Sequence, residues 1–227
     1  MQLSRIIPAV LVLLFMLIPS ARAHRYIPND GSHVDMERAL RIQDVDLSQV
    51  VYHELTESAP QLWLSFDGAS GQSVFLQLGV PVLDRPEQYR PALALVGPGL
   101  GEADVPFTVP EGMGVRLFTT DEVEPSRFNE HFTGTSSWIL LSEDVSLPQT
   151  GTYYVVAFHP QDTRGKLWVS VGRREEFTLD DLLSFPVVVA EVRTFHEVAG
   201  RPLPLLPRIM ILFANLLGFL LGLAGRP

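Results

Sequence analysis

Up to residue 172, apolar residues gather into short runs: 49–55 (QVVYHEL), 62–66 (LWLSF), 73–80 (SVFLQLGV), 92–97 (ALALVG), 114–118 (GVRLF), 137–141 (SWILL), 152–158 (TYYVVAF) and 166–172 (KLWVSVG). They are rich in β-branched and aromatic residues. Turn-forming clusters such as 67–72 (DGASGQ) and 97–102 (GPGLGE) separate them. Short apolar runs bounded by Gly, Pro, Asp and Ser predict strands. In the third run Val74, Leu76 and Leu78 fall on one face and Ser73, Phe75 and Gln77 on the other, the alternation of a pleated strand. The pattern predicts a mainly β fold, an antiparallel β-sandwich or jelly roll, over residues 24–172.

After Gly172 the period changes. Thr178 precedes Leu179-Asp180-Asp181, which places acids in the first turn of a short helix. Pro186 predicts the first turn of a second helix, Val187 to about Glu197, with Val188, Val192 and Phe195 on one stripe and Gly200 as its stop. Together they form a helical stalk over 173–200. Residues 201–208 (RPLPLLPR) predict a semi-rigid proline-rich linker.

Beyond the linker, residues 209–225 (IMILFANLLGFLLGLAG) form a 17-residue uncharged run in which only Asn215 is strongly polar. This predicts a C-terminal transmembrane helix near the short limit of a span. Apolar residues occupy every side, so no amphipathic face is set against a core. Ala214, Gly218 and Gly222 recur every four residues, the spacing that lets membrane helices approach closely. The expected partners are therefore membrane lipid and, through this helix, another membrane protein or a second copy. A buried C-terminal helix of a soluble domain is the competing reading.

The N-terminal residues match an export signal. Arg5 is followed by the apolar stretch Ile6 to Ile18, and Ala21-Arg22-Ala23 has the small-x-small form of a cleavage site. A cut after Ala23 removes residues 1–23 and places the β-domain, and the protein as a whole, on the extracytoplasmic side of a membrane. The full chain carries 17 basic and 26 acidic residues. Residues 1–23 contain Arg5 and Arg22 and no acid, which leaves 15 basic against 26 acidic, a net charge of −11. Such an acidic domain is a poor match for nucleic acid. There is no cysteine, so neither disulfides nor thiol chemistry is available.

Residues 147–158 (LPQTGTYYVVAF) followed by 165–172 (GKLWVSVG) resemble the final two strands of bacterial pre-peptidase C-terminal domains and related exported jelly rolls. In that family a Pro-x-Thr-Gly-x-Tyr turn commonly opens the penultimate strand. Residues 71–81 (GQSVFLQLGVP) are similar to an earlier strand of the same domains. The likeness covers about a third of the chain. It implies a binding or stability module, often non-enzymatic, and transfers no catalytic residue.

Cleavage after Ala23 would leave His24 at the N-terminus, where an α-amine and an imidazole can chelate one ion, copper above all. In this one residue the chain resembles the periplasmic copper carriers and lytic polysaccharide monooxygenases that begin with histidine. A second ligand would come from His33, His53, His131, His159 or His196. His159, at the end of a predicted strand, is the best placed. The expected state is cofactor-free, with copper at His24 and His159 as the alternative.

Other constellations are weaker. Asp30, His33, Asp35 and Glu37 depart from calcium-loop spacing and read as a solvated turn. Ser136, Ser137 and His131 lack the G-x-S-x-G context of a hydrolase nucleophile. Residues 97–102 lack the Lys-Ser or Lys-Thr of a phosphate cradle. Trp63, Trp138 and Trp168 lie inside apolar strands and read as core rather than as a sugar platform. Asp84, Glu87, Asp104, Glu111, Asp121, Glu122 and Glu124 read as a solvated acidic surface. No nucleophile–base set emerges. The sequence predicts a membrane-anchored, extracytoplasmic β-sandwich acting as an accessory, recognition or assembly module rather than as an enzyme.

Overall fold

The computed structural model describes residues 24–83 and 89–222. The expected signal segment 1–23, the acids Asp84 and Glu87, and the end of the apolar run after Gly222 lie outside the described residues. Among the described residues eleven strands precede two helices: β1 (Arg25–Tyr26), β2 (Leu40–Arg41), β3 (Gln49–Leu55), β4 (Gln61–Gly68), β5 (Ser73–Pro81), β6 (Ala92–Gly97), β7 (Gly114–Phe118), β8 (Ser126–Glu130), β9 (Thr135–Ser146), β10 (Gly151–Phe158), β11 (Gly165–Val171), α1 (Leu179–Phe195) and α2 (Leu205–Leu220). A six-stranded sheet, β1-β3-β11-β5-β9-β8, packs on a five-stranded sheet, β2-β4-β10-β6-β7. The fold is a mainly β sandwich with two C-terminal helices. All eight predicted strands are present. The long pairings are antiparallel, and only the two-residue strands β1 and β2 pair in parallel, with β3 and β4.

The inter-sheet core takes alternate residues from each strand. Val74, Leu76, Leu78 and Val80 of β5 meet Leu62, Leu64 and Phe66 of β4, Leu93 and Leu95 of β6, and Val155 and Ala157 of β10. Several strands of the five-stranded sheet read as continuous apolar runs because both faces of that sheet are covered. On the outer face of the five-stranded sheet, Trp63, Ala94, Val96, Val156 and Phe158 pack under Phe107, Val105, Met113 and Met36. On the outer face of the six-stranded sheet the end of α1 docks through Phe195 on Tyr52 and His196 on Ser137. Burial on both sides removes the need for alternating polar residues.

One tyrosine shows how the turns are tied to the core. Tyr153 is fully buried, and its hydroxyl donates to Gln149 O at 2.7 Å beneath the turn before β10. A Cβ at Gly97 would come within 2.1 Å of its ring, so only glycine leaves room for it.

The helices differ from expectation in three ways. Pro186 lies within a single helix, α1, rather than starting a second one. The helix stops at a Schellman motif rather than at Gly200: Val198 N–H donates to Arg193 O, Glu197 N–H donates to Thr194 O, and Glu197 holds φ 58°. Finally, α2 begins at Leu205, so its first turn absorbs half of the predicted proline linker. Pro207 fits there because the first helical N–H groups have no intrahelical acceptor. At 16 residues α2 is shorter than the expected 209–225 span, and no helix among the described residues is long and apolar enough to cross a membrane.

Candidate functional site

Among the described residues, every strongly exposed large hydrophobic side chain except Val123 lies between Phe177 and Leu221. Leu205, Leu212 and Phe219 are each 70% exposed, with Ile209 and Leu216 on the same side of α2. Their spacing follows the helical repeat. Leu179 and Val187 of α1 add further exposed apolar surface. An aligned apolar ridge like that of α2 marks an interaction surface rather than scattered surface hydrophobicity.

The opposite side of α2 faces α1. Ala214 is buried, and a Cβ at Gly218 would lie 3.8 Å from Leu183 Cδ2. The small residues predicted to pack against another membrane helix thus meet α1 of the same chain. Gly222 lies beyond α2 with φ 68°.

The base of this hairpin is tied to the six-stranded sheet by polar contacts that sequence reading missed. Arg25 pairs with Asp181 at 2.7 Å. Asp181 also completes a capping box with Thr178 at the start of α1. Lys166 Nζ donates to Phe195 O at 3.1 Å and pairs with Glu197 at 2.9 Å. Arg193, 5% exposed, donates from Nη1 to Thr133 O at 3.0 Å and from Nη2 to Val198 O at 2.8 Å and Arg201 O at 2.7 Å. Arg193 was legible in principle: it stands four residues after Val189 and one after Val192, on the buried side of α1.

A buried polar chain runs beside it. Trp168 Nε1–H donates to Ser137 Oγ at 3.0 Å, Ser137 O–H donates to His196 Nε2 at 3.1 Å, and His196 Nδ1–H donates to Val192 O at 2.8 Å. Every donor in the chain then has an acceptor. Burial lowers the His196 pKa to about 4, and Lys166 acts in the same direction. Ser137 and His196 are 4% and 2% exposed, so this serine–histidine pair is closed to a substrate. It joins α1 to the sheet.

His24 enters a recess of about 370 Å³ on the six-stranded sheet, walled by Phe75, Phe128, Gln77, Ser142 and Glu175. Its Nδ1 lies 2.6 Å from Ser48 Oγ and 3.0 Å from Ser170 Oγ. His159 sits elsewhere. His24 precedes Arg25, which is opposite Gln49 at one end of β3. His159 follows Phe158, which is opposite Gln61, past the turn that leaves the other end of β3. The seven residues of β3 separate these ends by about 20 Å, too far for one ion. His159 instead stacks on Tyr89 at 5.2 Å and accepts from Gln161 N–H at 3.2 Å, and burial lowers its pKa.

The remaining sequence candidates also separate. Asp35 pairs with Arg38, while Asp30 accepts from Ser32 N–H at 2.9 Å. Among the described residues no group of three or more His, Cys, Asp or Glu is arranged to hold a metal. Trp63 and Trp168 are buried, and Trp138 packs against the core.

No family model matches the chain. No curated protein matches it either. Among solved structures it is similar to the pre-peptidase C-terminal domain of a collagenase from Bacillus anthracis, with 12% identity, 59% of this chain and 93% of that chain covered, and a TM-score of 0.30. It is also similar to CorA, a surface-associated copper-binding protein important in Methylomicrobium album BG8 copper acquisition, with 11% identity, 68% and 99% covered, and a TM-score of 0.29. The third is MopE, a secreted protein of Methylococcus capsulatus in which an oxidised tryptophan facilitates copper binding, with 9% identity, 52% and 71% covered, and a TM-score of 0.25. Both kinds of protein that the sequence resembles recur here. At these TM-scores nothing about the chain's activity is taken from them.

Proposed function

We propose that the protein is a non-enzymatic recognition or assembly module, exported and held on the extracytoplasmic side of a membrane by its C-terminal hairpin. The observation that carries this reading is the exposed apolar ridge of α2, Leu205, Ile209, Leu212, Leu216 and Phe219, which has no protein partner among the described residues. Lipid is the partner that ridge fits. α2 alone measures about 24 Å, against roughly 30 Å of hydrocarbon. In sequence the uncharged run continues to Gly225.

The test compares full-length protein with a chain ending at Arg201, both expressed with their export signal. Full-length protein should remain with membranes through high-salt and carbonate washes, which strip proteins held by charge. The shortened chain should be released. Carbonate extraction of full-length protein would refute the anchor.

A second reading is copper binding at His24, favoured by the position of that residue in the recess. Chelation with a free α-amine would use Nδ1 and displace Ser48 and Ser170 from it. Further ligands would have to come from the recess rather than from His159. Protein with a native His24 terminus should then bind one equivalent of copper, and protein with one extra residue before His24 should not. Equal copper content in the two, or none in either, removes this reading.

A further inference from the structure

The segment that joins the helices, residues 196–204, contains Gly200, Pro202 and Pro204. Its composition is that of a tether, but the structure holds it at several points. The Schellman motif fixes its first residues, and Arg201 N–H donates to Val198 O at 3.0 Å. Pro204 then seats against Gly134: a Cβ there would meet Pro204 Cγ at 2.6 Å. Gly134 also holds φ 65°, so its turn both needs glycine and makes space for the proline ring.

Arg193 connects all of these parts. Its guanidinium reaches Thr133 O in the β8–β9 turn, Val198 O at the end of α1, and Arg201 O one turn later. All three acceptors are backbone carbonyls. A planar guanidinium presents its donors in a fixed fork, and hydrogen bonds from a charged donor are stronger than neutral ones. The carbonyls therefore mark three chain positions that one side chain holds in register. Losing the fork would remove a charged donor from the buried Thr133 carbonyl and untie Arg201 O from α1.

We infer that Arg193 is a positioning residue that clasps the interhelical elbow and, together with the packing of α2 on α1, fixes the angle at which α2 projects from the β-sandwich. If α2 enters a bilayer, as proposed above, the sandwich is then held in one orientation over the membrane, with the same face always presented to a partner. The clasp itself does not depend on what α2 meets.

The absence of native cysteine allows clean spin labelling. Labels go on Glu57→Cys, exposed beyond β3, and Asn215→Cys, exposed on α2. Their separation is read by pulsed electron spin resonance on the full-length chain in detergent. With Arg193 intact the distance distribution should be narrow. Arg193→Met should at least double its width. A second variant inserts Gly-Ser between the exposed residues Ala199 and Gly200, which leaves the contacts of Arg193 with Thr133 and Val198 in place while uncoupling Arg201. It should broaden the distribution likewise, and it decides the matter alone if Arg193→Met does not fold. A broad distribution with Arg193 intact, or a narrow one retained in either folded variant, overturns the clasp. Membrane association is not measured, so failure here is separable from failure of the anchor.

Discussion

His196 shows most directly how one residue's surroundings set its chemistry. Its ring is buried, receives the Ser137 hydroxyl proton in a hydrogen bond, and stands edge-on to Tyr52 at 5.6 Å. A histidine whose pKa falls from 6.5 to about 4 on folding resists the proton that the unfolded chain accepts. Its contribution is therefore fully present above pH 6.5 and is lost as pH falls towards 4. The difference amounts to roughly 3 kcal/mol. His53 and His159, also held below their usual values by burial, act in the same direction. Glu130, raised by burial, acts oppositely. The melting temperature should fall between pH 6.5 and 4, and His196→Gln should flatten that slope. An unchanged slope in the variant would move the effect to other groups. The sequence offered His196 only as one of five possible second ligands beside His24, and only packing distinguishes a buried relay from a ligand.

At the scale of elements, α1 has little intrinsic reason to persist alone. It carries three valines in succession and Pro186, and β-branched residues and proline are poor helix formers. Its stability comes from its ends and from the sheet beneath. Thr178 Oγ1 accepts from Asp181 N–H, and the Asp181 carboxylate accepts from Thr178 N–H at 2.7 Å while also pairing with Arg25. Thr178→Ala should cost about 1 kcal/mol, measurable by urea titration, and should raise amide exchange in the first turn of α1. Loss of stability without that local exchange would place the role of Thr178 elsewhere. The N-terminal cap was legible because its residue types follow in sequence. The C-terminal stop was not, because Glu197 in a left-handed conformation looks like any exposed acid until its backbone angles are known. β1, β2 and β8 were illegible for a related reason. The first two are two residues long and β8 is polar, so partner strands create them and no apolar run announces them.

For the whole molecule, the two sheets hold a core of their own: no described side chain of α2 belongs to either buried cluster. A chain ending at Arg201 retains the Arg201 carbonyl on Arg193 and loses the packing of Ala214 and Gly218 on α1. It should be soluble and β-rich by circular dichroism, with a cooperative melt, while the full-length chain requires detergent. Aggregation of the shortened chain beside full-length protein that is soluble without detergent would show that α2 covers the sandwich rather than meeting lipid.

Sequence alone determined the eight apolar strands and the apolar tail, because each depends on a run of neighbouring residues whose burial preference survives in any context. It also determined what the chain lacks, cysteine and excess positive charge, since composition does not depend on folding. Tertiary structure decided which distant residues meet. His24 and His159 look like a pair in the sequence and lie at opposite ends of a strand. Arg193, Thr133 and Arg201 look unrelated and form one joint. Ala214 and Gly218, spaced for a membrane partner, are taken by α1. Such pairings depend on sheet register and helix docking, which arise only when the two sheets close over a common core.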